Sequence, residues 1–169
     1  IEQESLEKLK AIDRKQLTGD DLVTYEAFKR QRELRIGGYR YPSELLAINQ
    51  FANWPGVFAQ LGSGTGAQPF TTTRDYDNFL ARMDGFVVWV DQAINNLRAG
   101  VTKGVVLPRI VVERTLPQLE AFGRSEDPRQ TVFWQPLLNF PAGPSVPDRR
   151  RLLQAYDEKL RTQVLPAYR

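Results

Sequence analysis

The chain has 169 residues, of which 41% are hydrophobic and 25% charged, and a net charge of +3, as in globular domains rather than disordered chains. It has no histidine or cysteine, which excludes a disulfide scaffold, the usual zinc and redox-metal sites, and catalysis by a histidine base or cysteine nucleophile. No apolar run reaches the length of a membrane span, and no basic-aromatic cluster indicates nucleic-acid binding.

Helical periodicity dominates the first third of the chain. A charged helix is predicted over residues 2–16, with apolar residues on one side. The sequence at 18–21 resembles a capping box, so a second helix should begin there and end at the Gly37-Gly38 pair. A shorter helical stretch is predicted over residues 44–51.

The strongest pattern lies in the middle of the chain, where one apolar stripe predicts a long helix over residues 73–99. Thr73 can act as its N-cap, and Gly100 is a natural stop. The stripe repeats every three or four residues and consists of Tyr76, Phe79, Leu80, Met83, Phe86, Val87, Val90, Ile94 and Leu97.

Two further helices are predicted in the last third. One spans residues 107–122 and is opened by Pro108, and the other starts at a Ser145 cap and continues towards the C-terminus. The Gly-rich segment 56–72 and the Pro-rich segment 126–147 show no regular period. The expected fold is therefore all-α, an irregular helical array in a single domain over 1–169, with one long central helix (about 73–99) and two long Gly- or Pro-rich loops.

Three glycines in five residues, at Gly62, Gly64 and Gly66, suggest a phosphate-binding loop. No lysine followed by serine or threonine comes after them, no strand precedes them, and no helix opens directly after them. The favoured interpretation is a tight loop whose backbone approaches a neighbour closely. This loop is the best local candidate for contact with a substrate or another domain.

A row of carboxylates and a set of aromatic residues each allow two interpretations. Asp77, Asp84 and Asp91 share one helix face, which favours a solvated flank over a glycoside-hydrolase acid and base. The aromatic residues favour core packing over a platform for sugars or peptides; they are Trp54, Trp89, Trp134, Phe133 and Phe140.

Five segments, taken in order, carry a resemblance that covers almost the whole chain: 41–50 (YPSELLAINQ), 60–70 (QLGSGTGAQPF), 75–83 (DYDNFLARM), 104–109 (GVVLPR) and 165–169 (LPAYR). Together they resemble the N-terminal part of the bacterial domain-of-unknown-function 885 family. The resemblance implies long, mostly helical proteins, many of them exported or lipid-anchored. Their downstream H-E-x-x-P-G-H motif is similar to that of zinc metallopeptidases.

The resemblance implies that this chain is part of a longer protein and lacks the catalytic region. No catalytic residue, metal ligand or cofactor is therefore expected within it. The resemblance allows zinc in the parent protein, and whether zinc is bound there stays open. Whether the parent is an active enzyme stays open. The resemblance favours the periplasm or cell envelope as its location.

The leading hypothesis is a non-catalytic helical region that walls the substrate cleft of such a protein; the alternative is a helical binding or scaffold module without hydrolase activity. The expected partners are the remainder of the chain, a peptide substrate, and a second copy bound through exposed apolar surface. No nucleic acid is expected. The candidates for lining the cleft are Gln50, Ser63, Gly64, Gln68, Tyr76 and Arg109.

Overall fold

The computed structural model describes all 169 residues and contains helices and turns but no strand, which confirms the all-α prediction. The chain divides into two compact units, Ile1–Ser43 and Glu44–Arg169. None of the helices is both long and apolar enough to cross a membrane.

The first unit contains α1 (Glu2–Lys10) and α2 (Gly19–Gly38). The predicted helix over 2–16 is wrong in its second half, because the Asp13 carboxylate accepts the Lys15 backbone N–H at 3.0 Å and opens a separate 3₁₀ turn. Thr18 precedes α2 as predicted, but its side chain makes no capping hydrogen bond, so the predicted capping box is absent.

The second unit contains six helices, the longest of which is the 31-residue helix Thr73–Lys103. They are α3 (Trp54–Gly62), α4 (Thr73–Lys103), α5 (Arg109–Gly123), α6 (Gln135–Leu138), α7 (Val146–Lys159) and α8 (Leu165–Tyr168). The 3₁₀ turns Pro128–Gln130 and Val132–Trp134 lead into α6, and a π-helical turn, Leu160–Val164, joins α7 to α8.

Helix α4 confirms the predicted central helix, with both ends displaced. The N-cap is Thr72 rather than Thr73, because the Thr72 hydroxyl accepts the Asp75 backbone N–H while the Asp75 carboxylate accepts the Thr72 N–H. The Thr72 N–H and hydroxyl both donate to the Asp75 carboxylate, and these two hydrogen bonds lower the pKa of that carboxyl.

Gly100 does not end α4. A β-carbon at this position would lie 2.6 Å from the Val105 carbonyl oxygen and 3.1 Å from that of Leu45. Gly100 therefore allows close backbone approach inside the helix, which continues to Lys103 and ends at Gly104 with φ of +70°.

Two predictions on either side of Asn53 are wrong. The predicted helix over 44–51 is reduced to a 3₁₀ turn, Ser43–Leu46. Helix α3 instead occupies part of the segment predicted to be irregular. The Asn53 side chain accepts the Gly56 N–H at 3.1 Å and Pro55 lies in the first turn, so local capping starts the helix.

The core lies where the apolar stripe of α4 meets α3, α7 and the segment around α6. Ser145 caps α7 as predicted, accepting the Asp148 backbone N–H. The core contains Phe58, Ala59, Tyr76, Phe79, Met83, Phe86, Val90, Phe133, Trp134, Leu137, Leu152, Tyr156, Leu160 and Val164. The helix predicted to start at Ser145 thus buries Leu152 and Tyr156, and the turn that follows it buries Leu160 and Val164.

Two buried tyrosines join three parts of the core. Tyr156 donates its hydroxyl to the Tyr76 carbonyl at 3.1 Å, and Tyr76 donates its own to the Pro136 carbonyl at 3.0 Å. Burial raises the pKa of both phenols above the ordinary value. They therefore stay protonated in the folded chain at pH values where the unfolded chain begins to lose these protons.

Because of Tyr76 and Tyr156, we expect the free energy of unfolding to fall at alkaline pH. Because the folded-state pKa values are raised, this contribution is complete below the unfolded pKa of about 10 and falls as pH rises above it. Urea unfolding of the wild-type chain should show this fall, and a Tyr156→Phe variant should show a shallower one. Equal slopes in the two proteins would contradict the prediction.

Candidate functional site

An open apolar groove lies between α3 and the first half of α4. Its volume is about 320 Å³. Helix α3 contributes Trp54, Val57, Phe58 and Leu61, and α4 contributes Arg82, Gly85, Phe86 and Trp89. We call this set the Trp54–Trp89 groove. All of its residues belong to the second unit.

The floor of the groove is formed by two stacked core rings. The centroids of Phe58 and Phe86 lie 4.1 Å apart with an interplanar angle of 3°, and Phe58 also stacks on Phe79 at 5.3 Å. Since these rings are buried and packed against one another, the floor is fixed before any ligand arrives.

One wall of the groove is an unusually exposed tryptophan. Trp54 is the first residue of α3, and its side chain is 60% accessible to solvent. The capping residue beside it, Asn53, also donates its amide to the Gln118 side chain on α5 at 2.8 Å. The start of α3 is thereby tied to a second helix, which positions Trp54 at the groove.

Trp89 of α4 also lines the groove. It is half-buried, and its ring centroid lies 6.4 Å from that of Phe86. Phe86 and Trp89 also border a second apolar cavity, of about 220 Å³, on the other side. Tyr168 borders this cavity and donates its hydroxyl to the Pro55 carbonyl at 2.6 Å. The two cavities therefore share Phe86 and Trp89 as a common partition.

Arg82 supplies the only charge in the groove. Its side chain is exposed and takes part in none of the ion pairs of the chain. The nearest acids along α4 are paired elsewhere: Asp77 with Arg151 at 2.8 Å and Asp84 with Lys159 at 2.6 Å. The groove thus combines apolar walls with one uncompensated cation.

Four of the six residues predicted to line a cleft lie close to one another. The Ser63 hydroxyl donates to the Gln60 carbonyl, and a β-carbon on Gly64, which has φ of +78°, would lie 3.1 Å from the Pro136 side chain. Tyr76 bonds the carbonyl of the same Pro136.

Gln68 is buried in the same region. Its amide donates to the Pro69 carbonyl at 2.8 Å and to the Asp75 carbonyl at 3.4 Å. The polar atoms of Gln68 and Tyr76 are therefore used within the chain. Their cleft role stays a prediction.

The remaining two candidates lie apart from this cluster. The Arg109 side chain is 91% exposed and pairs with Glu113 on its own helix at 2.6 Å. The Gln50 side-chain oxygen is buried without a hydrogen-bond partner. No hydrogen bond joins either residue to the other four, and none of the six borders the Trp54–Trp89 groove.

The glycine-rich loop has its explanation within the chain. Gly62 belongs to α3, and a β-carbon there would meet the Phe79 and Phe133 rings. A β-carbon on Gly66 would lie 2.9 Å from the Gln60 carbonyl oxygen. These contacts confirm the interpretation as a tight, backbone-shaped segment that approaches its neighbours closely.

The carboxylate row and the aromatic set separate into distinct environments. Asp77 and Asp84 link α4 to α7 through their ion pairs, while Asp91 is exposed, so no pair of carboxylates faces across a cavity. Among the aromatics, Phe133 and Trp134 are buried in the core. Trp54 and Trp89 line the groove. For these two residues the sequence favours core packing over a binding platform.

No three side chains of His, Cys, Asp or Glu come together in an arrangement able to hold an ion. The apolar residues of the groove could contact an apolar group, and Arg82 could pair with an anion next to that group.

The family model described as "Bacterial protein of unknown function (DUF885)" matches residues 1–169, the whole chain. No curated protein and no solved structure gives a significant match.

Proposed function

The chain belongs to the DUF885 family of bacterial proteins of unknown function, and we propose that it is a non-catalytic helical region that forms a wall of the substrate cleft. In this proposal the cleft belongs to a longer protein similar to a zinc metallopeptidase. The remainder of that protein is the main partner of this region, and a peptide is the substrate.

The observation that carries the proposal is the Trp54–Trp89 groove. Binding sites are commonly concave and apolar, with few polar groups that fix orientation. The groove has this composition, and its floor of stacked Phe58 and Phe86 needs no rearrangement to accept a side chain. Exposed tryptophan at such a place supplies large contact area at a low cost in conformational entropy.

A helical binding module without hydrolase activity is the alternative, since a groove can hold a partner without any reaction. The two proposals differ in what the longer protein does. The first predicts peptide hydrolysis that a zinc chelator abolishes, whereas the second predicts binding alone.

The test compares two glycine-to-leucine variants of the longer family protein in peptide hydrolysis. Gly85→Leu fills the groove and should lower kcat/KM roughly tenfold or more, because burial of one large apolar side chain is worth about 1.5–3 kcal/mol. Gly37→Leu makes the same change in α2 at a position with no atom within 4 Å of the added β-carbon, so it should leave kcat/KM unchanged.

The outcomes separate the two proposals. An unaltered kcat/KM in Gly85→Leu would show that the groove is not part of the substrate cleft. Absence of hydrolysis and of bound zinc in the longer protein would favour the binding module. Peptide turnover by the 169-residue chain alone would contradict both.

A further inference from the structure

We propose that the Trp54–Trp89 groove binds a peptide segment in which a large apolar side chain, such as that of phenylalanine, is adjacent to a carboxylate residue. The apolar side chain lies on the Phe58–Phe86 floor, and the carboxylate pairs with Arg82. This inference rests on the proposed function, in which a peptide reaches the groove, and it names the class of peptide.

Gly85 provides the first argument, because nothing inside the chain explains it. It lies in the interior of the 31-residue helix α4, where glycine is less favourable than alanine. A β-carbon at Gly85 would have no atom within 4 Å, whereas one at Gly100 of the same helix would collide with backbone oxygens. Because Gly85 lines the groove, the missing side chain leaves space there for a bound group.

The size and lining of the groove indicate what the occupant is. A volume of about 320 Å³ lies at the lower end of the range of ligand pockets, which suits one bulky side chain and its flanking backbone better than a large cofactor. Four aromatic residues line the groove, namely Trp54, Phe58, Phe86 and Trp89, and aromatic or large aliphatic groups pack well against such rings.

The charge of Arg82 is the reason to expect a carboxylate in the bound peptide. Arg82 is exposed at the groove and has no carboxylate partner in the chain, since Asp77 and Asp84 are held by Arg151 and Lys159. A carboxylate brought beside Arg82 by a bound peptide gains a charge-assisted hydrogen bond, and a lysine in the same place is repelled. The groove should therefore discriminate by charge as well as by apolar contact.

The inference is tested on the 169-residue chain with three end-capped peptides: acetyl-Gly-Phe-Glu-Gly-amide and its Gln and Lys counterparts. Binding is followed by the indole N–H resonances of Trp54 and Trp89 in NMR titrations. The Glu peptide should shift both resonances and bind about two- to fivefold more tightly than the Gln peptide, the ratio expected for an exposed ion pair. The Lys peptide should bind most weakly.

Matched variants test separately whether the peptide binds in the groove and whether Arg82 causes the preference for Glu. Gly85→Leu should abolish the shifts, whereas Gly37→Leu should preserve them. Arg82→Gln should remove the preference for Glu over Gln and retain binding of the Gln peptide. Arg98→Gln, an exposed arginine elsewhere on α4, should retain the preference.

Several results would overturn the inference. Equal affinity for the three peptides removes the role of Arg82, and shifts that persist in Gly85→Leu place the binding elsewhere. A dimer in sedimentation experiments that Gly85→Leu dissociates would make a second copy the occupant. Because these titrations need no turnover, an inactive longer protein would contradict the proposed peptidase function and leave the peptide preference intact.

Discussion

Replacing Phe79 with alanine is expected to lower the free energy of unfolding by about 3–5 kcal/mol, the range for truncating a buried phenylalanine. Phe79 is fully buried in the middle of the aromatic core. Its ring centroid lies 5.3 Å from that of Phe58, 5.4 Å from Phe70, and 6.5 Å from both Phe133 and Tyr156. The alanine variant would leave a cavity among rings that come from several helices and cannot close it.

The measurement is urea unfolding followed by far-ultraviolet circular dichroism. Val88→Ala is the matched control, since Val88 is on the same helix but 69% exposed, and its effect should stay within about 0.5 kcal/mol. A loss below about 1 kcal/mol for Phe79→Ala would show that the packing of α4 against α3 and α7 does not hold the fold together.

Gly62→Ala is expected to destabilise the chain by about 1–3 kcal/mol, the usual cost of overpacking a core. The added β-carbon would lie 2.7 Å from Cζ of Phe79 and closer still to Cδ1 of Phe133. Both rings are held in the core on other sides, so neither can move away without disturbing its own contacts.

Gly85→Ala is the matched comparison in α4, and its effect should have the opposite sign. Its β-carbon would enter open space, so the better helix propensity of alanine should raise the free energy of unfolding by about 0.5–1 kcal/mol. Equilibrium unfolding of both variants tests the pair. A neutral Gly62→Ala, or a Gly85→Ala variant as damaged as Gly62→Ala, would contradict the assigned packing.

Features of the fold that depend on local signals could be predicted from the sequence. The stripe from Tyr76 to Val90 identified α4 because helical periodicity is a property of the helix itself. The Ser145 cap was equally visible, since the capping serine and the Asp148 N–H it accepts are three residues apart.

Features that depend on distant neighbours could not be predicted. Gly100 resembles a helix stop in sequence, and only the folded chain brings Leu45 against it. Helix α3 could not be predicted from periodicity because its segment contains two glycines and a proline, which are typical of loops. The available signal was Asn53 followed by Pro55, an N-cap and a first-turn proline.

The candidate site shows the same division. Tyr76 and Gln68 are site candidates in the sequence because they are polar, but a sequence does not reveal whether the partner of a polar atom is a ligand or the backbone. In the folded chain both donate hydrogen bonds to carbonyl groups. The groove is lined by residues of both α3 and α4, and these residues come together only when the two helices pack in the folded chain.

The central claim is that peptides bind at the Trp54–Trp89 groove, and photo-cross-linking tests it most directly. The measurement uses acetyl-Gly-Phe-Glu-Gly-amide with benzoylphenylalanine in place of phenylalanine, followed by mass-spectrometric mapping of the cross-linked residues. We predict attachment to α3 and to residues 82–89 of α4, with loss of attachment in Gly85→Leu. Attachment around Gln68 or Arg109 instead, or none at all, would contradict the claim.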